Sequence, residues 1–80
     1  MDMISVILES MEEILGLEQS EMKSMLDVNL IEEGLVDSLS IMTLISTIEE
    51  KVGYPIDIRQ MSPLDLSTIN RLAKAVEVQA

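Results

Sequence analysis

Eighty residues carry 15 acids against 5 bases, a formal charge of −10, with no cysteine, no histidine and a single aromatic residue, Tyr54. Such a length holds one small domain, and the acidity argues against nucleic-acid or anionic-membrane partners, which need clustered Lys and Arg. The missing His and Cys remove the usual general base, the thiolate nucleophile and any disulfide staple.

The predicted elements follow from apolar spacing. A first helix spans about Asp2 to Leu15, with Ile4, Ile7, Leu8, Met11, Ile14 and Leu15 recurring at helical spacing and Glu9, Glu12 and Glu13 facing water. Gly16 is a suitable C-terminal stop. A long connection, Gly16 to Asp37, comes next; loops of that length are rare unless functional or tacked down. Leu17, Met25, Leu26, Val28, Leu30 and Ile31 can tack it down, and Glu21 to Met25 can form a turn of helix. A second helix runs from Ser38 to Val52 and stops at Gly53, with Ile41, Leu44, Ile45, Ile48 and Val52 on one stripe. Pro55 makes Tyr54–Ile58 extended or turn-like. Ser62-Pro63-Leu64-Asp65 reads as a compact start for a short helix, Pro63 to Leu66: serine cap, proline at the first position, acid three residues after the cap. Ser67 then caps a last helix over Thr68–Val78, with Ile69, Leu72, Ala73 and Val76 inward. Leu, Met, Glu and Ala outweigh strand formers, so the fold class is all-α.

Asp37-Ser38-Leu39 is the most informative stretch. It puts a serine hydroxyl in the first turn of a long helix, where the macrodipole and the unpaired N–H groups favour an anion such as a phosphodiester. Asp and Ser are also ordinary helix caps, so the motif gains meaning from its surroundings. Long helix, long loop, long helix, short helix and final helix, with Asp-Ser-Leu opening the second, resembles the acyl and peptidyl carrier proteins. The likeness runs over nearly the whole chain. It is most specific over Ile31–Val52 and over Pro55–Ile69, where Met61-Ser62-Pro63 leads to Ser67-Thr68-Ile69.

That resemblance implies a small four-helix bundle of three main helices and one short one. It implies a non-catalytic protein whose Ser38 takes a 4'-phosphopantetheine arm from coenzyme A. The arm's thiol then holds cargo as a thioester. Asp37 is implied to be recognised by the phosphopantetheinyl transferase and its metal. Leu39, Met42 and Ser46 on one side of the second helix, with Ile56 and Ile58 from the later loop, are expected to dock partner enzymes. Seven methionines in an acidic chain also raise the idea of a calcium sensor, but Asp27–Glu33 lacks the alternating oxygen ligands and central glycine of an EF-hand loop. The methionines read as core filler, with Met42 and Met61 as exceptions.

Two departures separate the chain from fatty-acid carriers. Ser40 and Thr43 stand where that type shows acids after the serine, so docking of the second helix is expected to be more apolar, with acids returning only at Glu49-Glu50. The glycine lies three residues before the aspartate, in Gly34-Leu35-Val36-Asp37, preceded by Glu32-Glu33. That spacing looks like discrete D-alanyl and related aminoacyl or peptidyl carriers. The expected partners are therefore the transferase, an adenylating ligase or acyltransferase that loads the thiol, and a downstream synthase or transferase. The alternatives are an acyl carrier of fatty-acid or polyketide synthesis and, from another class, a non-carrier acidic helical interaction module. Met1-Asp2-Met3 lacks the basic region of a signal peptide. No apolar run nears the ~20 residues of a membrane span. With no flanking linker, residues 1–80 read as one discrete, cytoplasmic, monomeric carrier domain.

Overall fold

The computed structural model describes residues 2–80 and is all-helical. Three long helices make its frame: α1 (Met3–Leu15), α3 (Ser38–Val52) and α4 (Ile69–Val78), with a single turn, α2 (Gln19–Met22), after the first. Two 3-10 turns, Ile58–Gln60 and Pro63–Leu66, lie between α3 and α4. The expected short helix at Pro63–Leu66 is thus a 3-10 turn. The turn expected at Glu21–Met25 begins earlier, and Ile58, at the end of the stretch expected to be extended or turn-like, opens a turn of its own.

Each helix end has a local cause. Asp2 and Thr68, expected as first helical residues, are extended N-caps whose side chains accept from the backbone N–H of Ile4 and Arg71. Gly16 and Gly53 end α1 and α3 at φ +69° and +81°, a region open to glycine at little cost. Ser67 is not the cap of α4, contrary to the sequence expectation. Its backbone is helical where an N-cap must be extended, and its buried hydroxyl donates to the Leu64 carbonyl at 2.6 Å. The capping box is present, with Asp65 accepting from Ser62 N–H at 2.8 Å and Ser62 from Asp65 N–H at 3.4 Å.

The core sits where α1 meets α3 and α4. Ile41, Leu44, Ile45 and Ile48 of α3 and Ile69, Leu72, Ala73 and Val76 of α4 are buried as their spacing predicts, whereas Val52, the last residue of the α3 stripe, is half-buried at the end of its helix. On α1 the buried face is broader and turned toward Met3, Val6 and Ser10, leaving Ile4, Ile14 and Leu15 half-buried. A helix flanked by α2, α3 and α4 buries a wide arc. Ser10 tolerates burial because its hydroxyl donates to the Val6 carbonyl at 2.8 Å.

The long connection is tied down by backbone as well as by side chains. Leu30 N–H donates to the Ser67 carbonyl at 2.8 Å, and the Leu30 carbonyl accepts from Leu35 and Val36 N–H. Asn70 N–H donates to the Leu26 carbonyl at 3.1 Å, and its side-chain amide to Asp27 at 2.8 Å. Met22, Leu30 and Val36 are buried, whereas Ile31, expected to tack the loop, is exposed. After α3, Glu49 accepts from Ile56 N–H at 2.6 Å. The Gln79 side chain accepts from Asp57 N–H at 2.6 Å and donates to the Asp57 carbonyl at 3.0 Å. Tyr54 donates its hydroxyl to the Val76 carbonyl at 3.0 Å.

Ile48 is fully buried, so Ile48→Ala is expected to cost about 2–5 kcal/mol, comparable with the whole stability of a small domain. Exposed Leu39→Ala should stay within about 0.5 kcal/mol in the same urea titration followed by circular dichroism. Only two ion pairs, Lys51–Glu13 and Arg59–Asp57, occur among the described residues, against a formal charge of −10. Self-repulsion should therefore make Tm rise between low and moderate salt; a flat Tm would show that it does not limit this fold.

Candidate functional site

Asp37 is extended and caps α3 by accepting the Ser40 N–H at 2.8 Å. That backbone bond, with a second from the Ser40 side chain, holds the Asp37 carboxyl below the ordinary aspartate range. Because Asp37 does the capping, α3 needs nothing from the hydroxyl of Ser38, its first residue. Ser38 is exposed at the positive end of a 15-residue helix.

Beside Ser38 lies a cleft of about 360 Å³. α3 supplies Ser38, Ile41 and Met42, the long connection supplies Ile31, and the two 3-10 turns with their flanks supply Ile58, Met61, Pro63 and Leu66. Every lining residue but Ser38 is apolar. The two methionines singled out in the sequence, Met42 and Met61, both belong to it. From Ser38 to Ile48 α3 carries no charged residue, so the surface around the serine is apolar and neutral, with Glu32, Glu33 and Asp37 on its approach.

The expected docking residues separate into three groups. Leu39 is 79% and Met42 50% exposed, and Ser46 is exposed with them on α3. Leu39 lies outside the cleft that Met42 lines, so their shared side of the helix spans the cleft rim and the open surface. Ile58 is half-buried and lines the cleft. Ile56 is 7% exposed and belongs to the core; its N–H bond to Glu49 draws the chain inward there, which removes it from the docking set. Sequence reasoning missed Ile31, Pro63 and Leu66 as neighbours of Ser38. The one local signal was Ile31 itself, an apolar residue directly before two acids at the end of a loop.

The arrangement suits covalent attachment. It offers an accessible hydroxyl, a fixed carboxylate one residue before it, and an apolar hollow alongside. Among the described residues no three carboxylates converge to hold a metal, and no helix is long and apolar enough to cross a membrane. A phosphodiester on Ser38 fits: its anionic oxygens would stand at the N-terminus of α3, where charge is favoured, and the linked chain could lie against Met42, Met61 or open solvent.

No curated protein and no solved structure matches the chain. A family model does, over residues 5–76, and its description is a phosphopantetheine attachment site. The match takes in all of α3 and the cleft and most of α1 and α4. With Asp37-Ser38-Leu39 at the head of α3, the chain belongs to the phosphopantetheine-binding family, whose members are non-catalytic carriers with a covalent 4'-phosphopantetheine.

Proposed function

We propose that residues 1–80 form one discrete carrier domain in which Ser38 is the attachment residue, and that the cargo is an aminoacyl or related carboxylate group. The observation that carries this reading is the exposed Ser38 at the N-terminus of α3, freed from capping by Asp37 and set beside an apolar cleft.

During attachment the Ser38 oxygen bonds to the phosphorus of coenzyme A that bears the pantetheine. The pyrophosphate P–O bond breaks, the adenosine bisphosphate leaves, and the serine proton passes to the transferase. Asp37, fixed by its bond to Ser40, presents a charged carboxylate to the metal that the transferase brings. The attached arm supplies a thiol for thioester formation. Thereafter this chain presents and releases: Leu39, Met42 and Ser46 along α3, with Ile58 in the cleft wall, meet the loading and unloading enzymes. The neutral stretch from Ser38 to Ile48 supports docking driven more by apolar contact than by charge. Gly34 three residues before Asp37, with Glu32-Glu33 ahead of it, supports likeness to discrete D-alanyl and aminoacyl carriers served by an adenylating ligase. A small acidic domain of this kind works as a cytoplasmic monomer.

A second reading, an acyl carrier of fatty-acid or polyketide synthesis, is favoured by the cleft lining, apolar at every residue but Ser38, which suits an aliphatic chain. The two readings differ in their loader. An ATP-dependent ligase charges the first, and a malonyl transferase with a ketosynthase serves the second.

Intact mass after incubation with coenzyme A, magnesium and a broad-specificity transferase should rise by one phosphopantetheine in the parent and not at all in Ser38→Ala. The variant should keep its helical circular dichroism. A folded parent that gains no mass with any of several transferases would instead favour the acidic interaction module. Asp37→Asn separates cap from charge, since Asn caps as well as Asp: α3 should stay intact while modification slows by roughly tenfold or more, the scale of one lost charged contact. The folded-state pKa of Asp37 is depressed, so its contribution to α3 is complete above the ordinary aspartate range and is lost as pH falls below it. Faster amide exchange at Ser40, ahead of the rest of α3, is the expected readout on acidification.

A further inference from the structure

The charge of this chain is unevenly placed. Residues 1–50 carry twelve acids and one base, Lys23, whereas residues 51–80 carry three acids and four bases. Lys51 is engaged by Glu13 and Arg59 by Asp57. Arg71 and Lys74 are exposed, and among the described residues neither forms an ion pair.

Both stand in one groove of about 310 Å³, which shares no residue with the cleft beside Ser38. Arg71, Lys74, Ala75 and Val78 form its α4 wall, and Gln60 and Asp65 form the other side. The segment from Gln60 to Leu66 is a partition: Gln60 and Asp65 line this groove, while their neighbours Met61 and Leu66 line the Ser38 cleft. Positions 71, 74, 75 and 78 are three, four and seven apart, so they make one stripe on α4. It mixes two cations with apolar surface, and Val78 at its end is 77% exposed. Asp65 is already committed to the Ser62 N–H at 2.8 Å. Glu77 borders the stripe on the same helix, exposed and without an ion pair to Lys74.

We propose that this groove docks an acidic, partly apolar segment of a partner protein, its carboxylates on Arg71 and Lys74 and an apolar side chain against Ala75 and Val78. Charge complementarity selects that occupant. Residues 1–50, with twelve acids to one base, repel a carboxylate-rich segment, and the groove offers it two uncommitted cations. A second copy of this chain is disfavoured by its own charge of −10. Cations in this position steer and orient an encounter more than they tighten it. The inference stands apart from the role proposed for Ser38, and the groove leaves the cleft free for use at the same time.

The test is an amide-shift NMR titration of the full chain with a synthetic amphipathic peptide bearing glutamates on one helical face and leucines on the other. The lysine-for-glutamate counterpart is run beside it, each at low and moderate salt. Glutamate-peptide shifts should saturate, cluster at Gln60, Arg71, Lys74 and Val78, and weaken with salt. In the double variant Arg71→Glu, Lys74→Glu affinity should fall by roughly tenfold or more. The variant's circular dichroism and its mass gain at Ser38 should match the parent. Absence of saturable groove shifts with the glutamate peptide overturns the proposal. So do groove shifts that survive the double reversal or are equal for both peptides. Groove shifts that grow with protein concentration alone overturn it too, and assign the groove to self-association. A parent that takes no phosphopantetheine affects only the carrier reading and leaves this titration to be judged by its own shifts.

Discussion

The arrangement around Ser38 depends on the backbone of Leu30. Its N–H reaches the Ser67 carbonyl at the foot of α4, and its own carbonyl gathers the N–H groups of Leu35 and Val36. Those bonds turn a long connection into a fixed strap across the second 3-10 turn. They bring Ile31 to one side of the cleft and deliver the chain to Asp37 at the angle from which α3 starts. Buried Leu30 and Val36 anchor the same strap in the core. A backbone bond is a good device here, because both partners would otherwise be buried without water. The strap joins residues far apart in sequence, so the cleft is a product of the tertiary fold.

At the head of α3 two adjacent residues divide tasks that one residue often combines. Asp37 satisfies the orphan N–H of Ser40 and keeps its charge; Ser38 stays outside the helix-stabilising bonds and remains exposed. The same economy runs through the later loop. Glu49 and Gln79, polar residues at the ends of α3 and α4, hold the backbone of Ile56 and Asp57. The segment that walls the cleft is therefore positioned by side chains from the two helices it connects.

Much of this was legible in the sequence because the cause was local. The stripes of α3 and α4, the glycine stops at Gly16 and Gly53, the Ser62–Asp65 capping box and the place of Ser38 at the head of α3 all depend on residues within a turn or two of each other. What was not legible depended on distant partners. Ser67 looks like a cap until the 3-10 turn before it claims its backbone. Ile56 looks available until Glu49 draws it inward. Ile31 looks like an anchor until Leu30 takes that place. Ser10, polar by type, is buried only because α1 has neighbours on several sides. The neutral character of the first part of α3 was visible as missing charge at Ser40 and Thr43. The membership of Ile31, Pro63 and Leu66 in the cleft required the strap.

The Gln79 amide pairs with both backbone groups of Asp57, as a neighbouring strand would. Asp57 in turn caps the 3-10 turn that opens with Ile58, through its bond to Arg59 N–H. Gln79 is thus a latch on the wall of the serine cleft, far in sequence from Ser38 itself. Any tag, dye or cleavage that disturbs positions 79 and 80 acts on that wall, even though it lies outside every apolar cluster.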